Sequence, residues 1–194
     1  MIVMTEKLKE FMENLKITHA ETYYHSIHVK YLTIKMIKKM NSLSLTNYTP
    51  FEIDCICKGA LLHDLGKLNI ENSILTKHTT LSGEDWDNIK KHPAHSYEII
   101  EKELTEGERE IVKNICLYHH ERVDGNGYTG MVDIPIYVQI VSVCDVFDAL
   151  CSDRAYKEGM PFSKALDMIE AGKAGIFEKQ IVDCLKSVAL ELAE

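Results

Sequence analysis

Apolar residues recur every three or four positions along most of this chain, as they do on one face of an amphipathic helix. Two N-terminal segments have this spacing: Leu8, Phe11, Met12 and Leu15, then Tyr24, Ile27, Tyr31 and Ile34. No stretch alternates apolar and polar residues over the length of a strand. The pattern therefore predicts an all-α fold, built as a single helical bundle.

Proline, glycine and capping residues mark where several helices begin and end. Thr49 and Pro50 have the identities expected of a helix cap and first helical residue, and Gly66 is predicted to end that helix. Pro93 is predicted to begin another helix. The glycine-rich segment 121–135 follows two histidines and is predicted to be a functional loop.

Length and composition favour one soluble domain. With 194 residues and 45% hydrophobic content, the chain is long enough to bury one substantial core. We expect one domain over residues 1–194, with an N-terminal helix at 1–18 and the main bundle at 19–194. The net charge of -8 argues against binding to duplex nucleic acid, which needs a basic surface.

The chain also lacks sequence signs of secretion or of membrane insertion. Its six cysteines form no CxxC pair and no regular framework, so we expect them to be reduced. The N-terminus is too charged for a signal peptide, and no run of eighteen apolar residues occurs. These features predict a cytoplasmic protein that does not associate with a membrane.

Histidines and carboxylates recur in a pattern that suits metal binding. Imidazole and carboxylate groups are ligands for iron, manganese and zinc. Glu21 and His25 are four residues apart, so both side chains lie on one face of a helix. Asp145 lies in an apolar helix predicted over 136–150, where an unpaired buried carboxylate would be costly. Any single histidine could instead be a helix cap, so only the whole set of residues indicates a metal site.

Four motifs together resemble a known family. They are HDLGK at 63–67, KKHPAHSYEII at 90–100, YHHERVDGNGYTG at 118–130 and CDVFDALCSDRAYK at 144–157. In this order and spacing they resemble the HD-GYP branch of the HD phosphohydrolase superfamily. The resemblance covers roughly residues 20–187 and implies a helical bundle of the HD-domain type. Several motifs in order are more specific than any one of them.

The resemblance implies a set of site residues. The implied core metal ligands are His25, His63, Asp64, His92, His119, His120 and Asp145. Glu21 matches a glutamate that completes a third metal site in some members. Lys67 matches a lysine near the scissile phosphate, while Arg154 and Lys157 match basic residues that resemble substrate-phosphate contacts. Two or three divalent ions are implied, and the mixed ligand set suits iron or manganese.

The implied activity is metal-dependent hydrolysis of a cyclic dinucleotide, cyclic di-GMP, to the linear dinucleotide or GMP. Asp64 would bridge the ions and Lys67 would stabilise the transition state, which makes these two the expected catalytic residues. Gly127, Tyr128 and Thr129 stand where the family has Gly-Tyr-Pro. This difference leaves open a module that binds a cyclic dinucleotide or a signalling partner without cleavage. A general HD nucleotidase is the other alternative.

Overall fold

The chain is built of helices, as a computed structural model of residues 3–77, 79–153 and 158–193 describes it. The described residues form these α-helices: α1 Glu6–Thr18, α2 Ala20–Ser42, α3 Pro50–Leu62, α4 Asn72–Leu75, α5 Gly83–Ile89, α6 His92–Ile100, α7 Glu106–Tyr118, α8 Ile136–Cys151, α9 Phe162–Glu170 and α10 Lys179–Ala193. Within those ranges the pairing of extended backbone is limited to one isolated bridge. The all-α prediction is confirmed. In this part of the chain, every helix falls short of the length or the apolar composition that a membrane span needs.

Helices α3, α5 and α7 begin at capping boxes. At the start of α3 the Glu52 carboxylate accepts the backbone N–H of Thr49 at 2.8 Å, and at the start of α7 the Glu108 carboxylate accepts that of Thr105 at 2.9 Å. Such caps satisfy backbone N–H groups that have no partner inside the helix. Helix α3 ends next to His63 and Asp64, and helix α7 ends next to His119 and His120, so the caps of these two helices help to fix residues of the predicted site.

The core consists of two apolar clusters that share helices α3 and α7. The larger cluster lies among α2, α3, α7, α8, α9 and α10 and includes Met36, Ile56, Ile115, Val141 and Leu185. The smaller one lies among α1, α3, α6 and α7 and includes Leu8, Leu15, Leu62, Ile100 and Val112. Each such side chain stabilises the fold by about 1.5–3 kcal/mol when fully buried. The C-terminal end of α3 is therefore held from two sides.

The prediction that Gly66 ends the third helix is wrong. Helix α3 ends before His63, and Gly66 lies in the short 3-10 helix Leu65–Asn69. Glycine is needed there because a Cβ atom would overlap the backbone carbonyl oxygen of His92 on α6. The Ser96 hydroxyl donates to the carbonyl of His63 at 2.6 Å and accepts the N–H of Gly66 at 2.8 Å. Residue 66 is therefore glycine because α6 packs closely against it, and not because a helix ends there.

Candidate metal centre

Five helices converge on a group of imidazoles and carboxylates. The group consists of His25 on α2, His63 and Asp64 after α3, His92 at the start of α6, His119 and His120 after α7, and Asp145 on α8. All of them are buried except His120, which is partly buried. These are the seven residues predicted as core metal ligands, and the fold brings all seven together.

Three of the histidines have their ring nitrogens fixed by the backbone. Each Nδ1 atom lies within hydrogen-bond distance of a backbone carbonyl oxygen. Nδ1 of His63 is 2.8 Å from the oxygen of Ala60, Nδ1 of His92 is 2.7 Å from that of Ile89, and Nδ1 of His119 is 2.9 Å from that of Cys116. A carbonyl oxygen only accepts hydrogen bonds, so each Nδ1 carries the proton. The Nε2 atom of each neutral ring then presents a lone pair towards the centre of the site.

The Nε2 atoms of His92 and His119 face each other with no proton between them. Nε2 of His92 lies 3.2 Å from Nε2 of His119 and 3.2 Å from Nε2 of His120. Between His92 and His119 both atoms carry lone pairs, which repel. Nitrogens bound to one ion at about 2.1 Å lie roughly 3.0–3.4 Å apart for ordinary bond angles. The buried Nε2 of His63 has no hydrogen-bond partner. This nitrogen set fits a metal ion.

A second group of possible ligands lies beside the first. Nε2 of His25 is 2.9 Å from Oδ1 of Asp145, and Nε2 of His63 is 3.8 Å from the same oxygen. The ligand atoms of these three residues all lie within 4.8 Å of one another, as do those of His92, His119 and His120. The site therefore offers two neighbouring positions for a cation.

Asp64 lies between these two groups. Its Oδ1 is 3.2 Å from Nε2 of His92, and its Oδ2 is 3.5 Å from Nε2 of His63. Each oxygen thus faces a different group, as in a carboxylate that bridges two ions. The Lys67 ammonium donates to Oδ2 at 2.6 Å, which places a positive charge at the edge of the site.

The protonation states of three histidines and of Asp64 suit metal binding. Burial lowers the pKa of His92 to about 4 and that of His120 to about 3, and it holds the pKa of His119 well below its ordinary value. Burial alone would raise the pKa of the Asp64 carboxyl, but the Lys67 charge and the surrounding histidines hold it well below its usual range. At neutral pH the three imidazoles are uncharged and the carboxylate is ionised, which are the forms that bind metals.

Asp148 is a site residue that the sequence prediction missed. Its Oδ2 lies 2.6 Å from Nδ1 of His25, and its Oδ1 lies 3.3 Å from Nδ1 of His28. Burial would lower the pKa of His25, but its hydrogen bonds to Asp145 and Asp148 raise that pKa to about 9. A carboxylate on the far ring nitrogen orients a metal-binding histidine. The signal was available, since Asp148 is a second acidic residue in an apolar helix.

We expect Asp148→Asn to weaken metal binding by about 10–100-fold while the fold is retained. The amide cannot replace the negative charge that the Asp148 carboxylate places beside Nδ1 of His25. Calorimetric titration of metal-stripped protein with Mn²⁺ measures this change. Asp167→Asn, on an exposed part of α9, is the matched control and should bind like the wild type. An unchanged affinity in Asp148→Asn would show that Asp148 has no influence on the ligands.

Glu21 lies at the edge of the site. It is exposed on α2 and lines a cavity together with His25 and Lys67. Among the described residues, the groups of mutually close ligand atoms do not include it. Its assignment to a third metal therefore stays a prediction.

If Glu21 completes a third site, Glu21→Ala should lose one ion per chain and retain the others. Elemental analysis of the purified variant measures this, with Glu13→Ala on exposed α1 as the control. Equal metal content in wild type and Glu21→Ala would instead indicate a two-metal site with Glu21 as an ordinary surface residue.

A buried glutamate, Glu121, fixes the loop after His120 through hydrogen bonds to its backbone. The carboxylate of Glu121 accepts the N–H of Thr129 at 2.9 Å and the N–H of Met131 at 3.0 Å. Thr129 stands where the family has proline, and proline has no N–H, so a proline at this position could not make the first of these bonds. The Tyr128 ring stacks on His120 with centroids 4.4 Å apart. The loop thus has a defined shape without the proline.

The predicted basic residues Arg154 and Lys157 lie outside the described residues. Within the described part of the chain, Lys67 and Arg122 line a cavity of about 260 Å³ over Asp64 and Asp145. Arg122 donates to the carbonyl of Glu121 at 2.7 Å. Sequence reasoning missed Arg122, although it lies two residues after the double histidine.

Comparison with known proteins gives the class of this fold and site. The family model described as "HD domain" matches residues 25–181, and the chain belongs to that family. The predicted resemblance to its HD-GYP branch is confirmed. A solved structure, Bd1817, an HDG"Y"P protein from Bdellovibrio bacteriovorus, superposes with a TM-score of 0.65 at 25% identity, covering 84% of this chain and 51% of its own.

The chain is also similar to named enzymes. It is 36% identical over 150 residues to a cyclic di-GMP phosphodiesterase of Vibrio cholerae, covering 74% of this chain and 30% of that protein. It is 39% identical over 140 residues to the cyclic di-GMP phosphodiesterase response regulator RpfG of Xanthomonas campestris, covering 69% of this chain and 36% of that protein. A 3'3'-cGAMP-specific phosphodiesterase of V. cholerae is 31% identical over 189 residues, and the match covers 95% of this chain and 35% of that protein. The chain spans about a third of the length of these relatives.

Proposed function

We propose that this chain is a metal-dependent phosphodiesterase that hydrolyses a cyclic dinucleotide, with cyclic di-GMP as the first candidate. The observation that carries the proposal is Asp64, whose two oxygens face two separate groups of histidines. The names of the relatives support the substrate class, because two are cyclic di-GMP phosphodiesterases and one is specific for 3'3'-cGAMP. We also propose that residues 1–194 form one domain, since Leu8 and Leu15 of α1 share a core cluster with Leu62.

We propose that this ligand set holds at least two ions. One would be held by His25, His63 and Asp145, and the other by His92, His119 and His120, with Asp64 shared between them. Glu21 is the candidate ligand for a third. Imidazole and carboxylate ligands without a thiolate suit iron or manganese. Such ions activate water as a nucleophile and neutralise charge on phosphoryl oxygens.

The protein's own groups bind and orient the phosphodiester. The cavity of about 260 Å³ over Asp64 and Asp145 is lined by the cations Lys67 and Arg122, which attract a phosphate. Lys67 is fixed by its bond to Asp64 at 2.6 Å, so its ammonium is already placed before charge develops on the phosphoryl oxygens. The Arg122 guanidinium donates to the carbonyls of His119 and Glu121, and these bonds fix it beside the double histidine. Arg154 and Lys157 are proposed as further phosphate contacts.

A substrate panel tests the proposal. Protein loaded with Mn²⁺ or Fe²⁺ is assayed with cyclic di-GMP, 3'3'-cyclic GMP-AMP and simple mononucleotides, and the products are separated by chromatography. We expect cleavage of a cyclic dinucleotide to dominate and to stop when the metal is removed with a chelator. Tight binding without turnover would favour a binding module, and cleavage of mononucleotides alone would favour a general nucleotidase.

A further inference from the structure

The turn between α9 and α10 contacts the side chain of Arg122. This α9–α10 turn, residues 172–177, comes much later in the chain than Arg122, which lines the cavity over Asp64 and Asp145. The N–H of Val123 donates to the carbonyl of Ile176 at 3.3 Å, so the turn is also joined to the backbone beside Arg122. A segment outside the metal centre therefore reaches one of the cations that line it.

Two glycines with positive φ give the α9–α10 turn its path. Gly172 follows the end of α9 with a φ of 68°, and the N–H of Lys173 donates back to the carbonyl of Met168 at 2.9 Å, as in a Schellman motif. Gly175 has a φ of 106°, and a Cβ atom at this position would overlap Nε and Cδ of Arg122. Glycine at 175 thus allows both the backbone conformation and the close approach to Arg122.

Phe177 supplies an aromatic surface for the guanidinium. The guanidinium carbon of Arg122 lies 4.8 Å from the centroid of the Phe177 ring, a distance at which a cation and an aromatic face attract each other. The ring is only 8% exposed and belongs to the larger apolar cluster, so its position is fixed by the core. On another side, Nη1 of Arg122 donates to the carbonyls of His119 at 3.1 Å and Glu121 at 2.7 Å.

These contacts leave Arg122 able to bind a phosphate. Both hydrogen bonds to carbonyls use Nη1, and a guanidinium has further N–H donors on its other nitrogens. An arginine side chain has several rotatable bonds, and their ordering opposes binding unless it has already taken place in the free protein. Contacts that fix the guanidinium before the substrate arrives therefore favour binding and turnover.

We propose that Gly175 and Phe177 are positioning residues that hold the Arg122 guanidinium at the cavity over the metal centre. The inference rests on the proposed function, because it explains how one of the two cations that attract the phosphodiester is placed. Lys67 is fixed inside the site by its bond to Asp64, whereas Arg122 is fixed from outside by the α9–α10 turn.

A double-mutant cycle tests the role of Phe177. Phe177→Leu should lower kcat/KM for cyclic di-GMP by about 2–30-fold, the effect of losing one contact between a cation and an aromatic ring, with metal content unchanged. Phe177→Tyr keeps a ring and should restore the wild-type value. In a chain that already carries Arg122→Ala, Phe177→Leu should have no further effect. Phe11→Leu is the matched control, because Phe11 lies 5.0 Å from the Lys7 ammonium on α1, outside the site.

Gly175→Ala tests the same contact through the backbone, with Gly172→Ala as its comparator. Both substitutions place a Cβ atom on a residue with positive φ, but only the one at 175 overlaps Arg122. At 172 the nearest atom belongs to the Ile176 side chain, at an ordinary contact distance of 3.4 Å. Gly175→Ala should therefore lose more kcat/KM than Gly172→Ala. Equal losses would mean that backbone strain alone is responsible, and would overturn the role of Gly175.

Modification by phenylglyoxal, which reacts with guanidinium groups, reports on Arg122 without any need for turnover. Its rate at Arg122, measured by peptide mass spectrometry with Arg109 of α7 as the internal reference, should rise in Phe177→Leu and stay at the wild-type value in Phe11→Leu.

An unchanged modification rate in Phe177→Leu, or losses of kcat/KM that simply add in the double variant, would overturn the inference while leaving the proposed function intact. A wild type that cleaves no cyclic dinucleotide would overturn the proposed function instead. The modification rates would then still decide whether Phe177 fixes Arg122.

Discussion

Replacing Asp64 with alanine is expected to reduce hydrolysis of cyclic di-GMP to the level of the metal-stripped wild type. Asp64 is buried, and its two oxygens lie 3.2 Å and 3.5 Å from Nε2 of His92 and His63. Removal of the carboxylate leaves the two histidine groups without a shared anionic ligand. Turnover and metal content should therefore fall together, as measured by product chromatography and elemental analysis.

A control for Asp64→Ala is Asp87→Ala, which removes an exposed carboxylate from α5. It should retain wild-type activity and metal content. Asp64→Asn is a second test, because it keeps the size of the side chain but removes its charge. Substantial turnover by either Asp64 variant, with wild-type metal content, would contradict the bridging role.

Replacing Lys67 with alanine is expected to slow turnover by about 10²–10³-fold without loss of metal. The Lys67 ammonium contacts Oδ2 of Asp64 at 2.6 Å and lines both cavities, but an ammonium is not a metal ligand. Its removal takes away a positive charge that stabilises the phosphoryl oxygens in the transition state. The two variants thus separate the residue that holds metal from the residue that acts on the substrate.

The test for Lys67→Ala is a comparison of kcat with metal content in the same preparation. Lys102→Ala, which removes an exposed lysine after α6, is the matched control. If Lys67→Ala loses metal in proportion to activity, Lys67 acts through Asp64 and not on the phosphate. If kcat is unchanged, the lysine has no part in the chemical step.

The helices were predictable because their apolar spacing follows from the need to bury one face. Leu8 and Leu15 are both fully buried in the structure, as that spacing requires. The end of α3 was not predictable in the same way. Gly66 was interpreted as a helix terminator, but its small size is required by the close approach of α6, and a contact between distant segments leaves no local signal.

The candidate ligands could be chosen from the sequence because the motifs resemble those of a family, but their geometry could not. Adjacent His63 and Asp64 do not reveal which oxygen of Asp64 faces which histidine. Asp148 was visible as a polar residue in an apolar helix, yet its contact with His25 spans 123 positions of sequence. Such pairings depend on how α2 and α8 pack together.

The consequence of Thr129 also depended on the structure. The sequence indicated only that a stiffening proline is missing from the loop after the double histidine. The structure gives Thr129 a backbone hydrogen bond to the buried Glu121, which a proline could not make. The shape of the loop is therefore compatible with an intact site, and the change does not by itself favour a module without activity.

The central claim is that the buried histidines and carboxylates form a metal centre that cleaves a phosphodiester. Its most direct test is a titration of metal-stripped protein with Mn²⁺, in which bound metal and hydrolysis of cyclic di-GMP are measured in the same samples. The account predicts at least two bound ions per chain at saturation, with hydrolysis rising as the sites fill. Saturation at one ion or fewer, or hydrolysis that does not depend on metal, would contradict it.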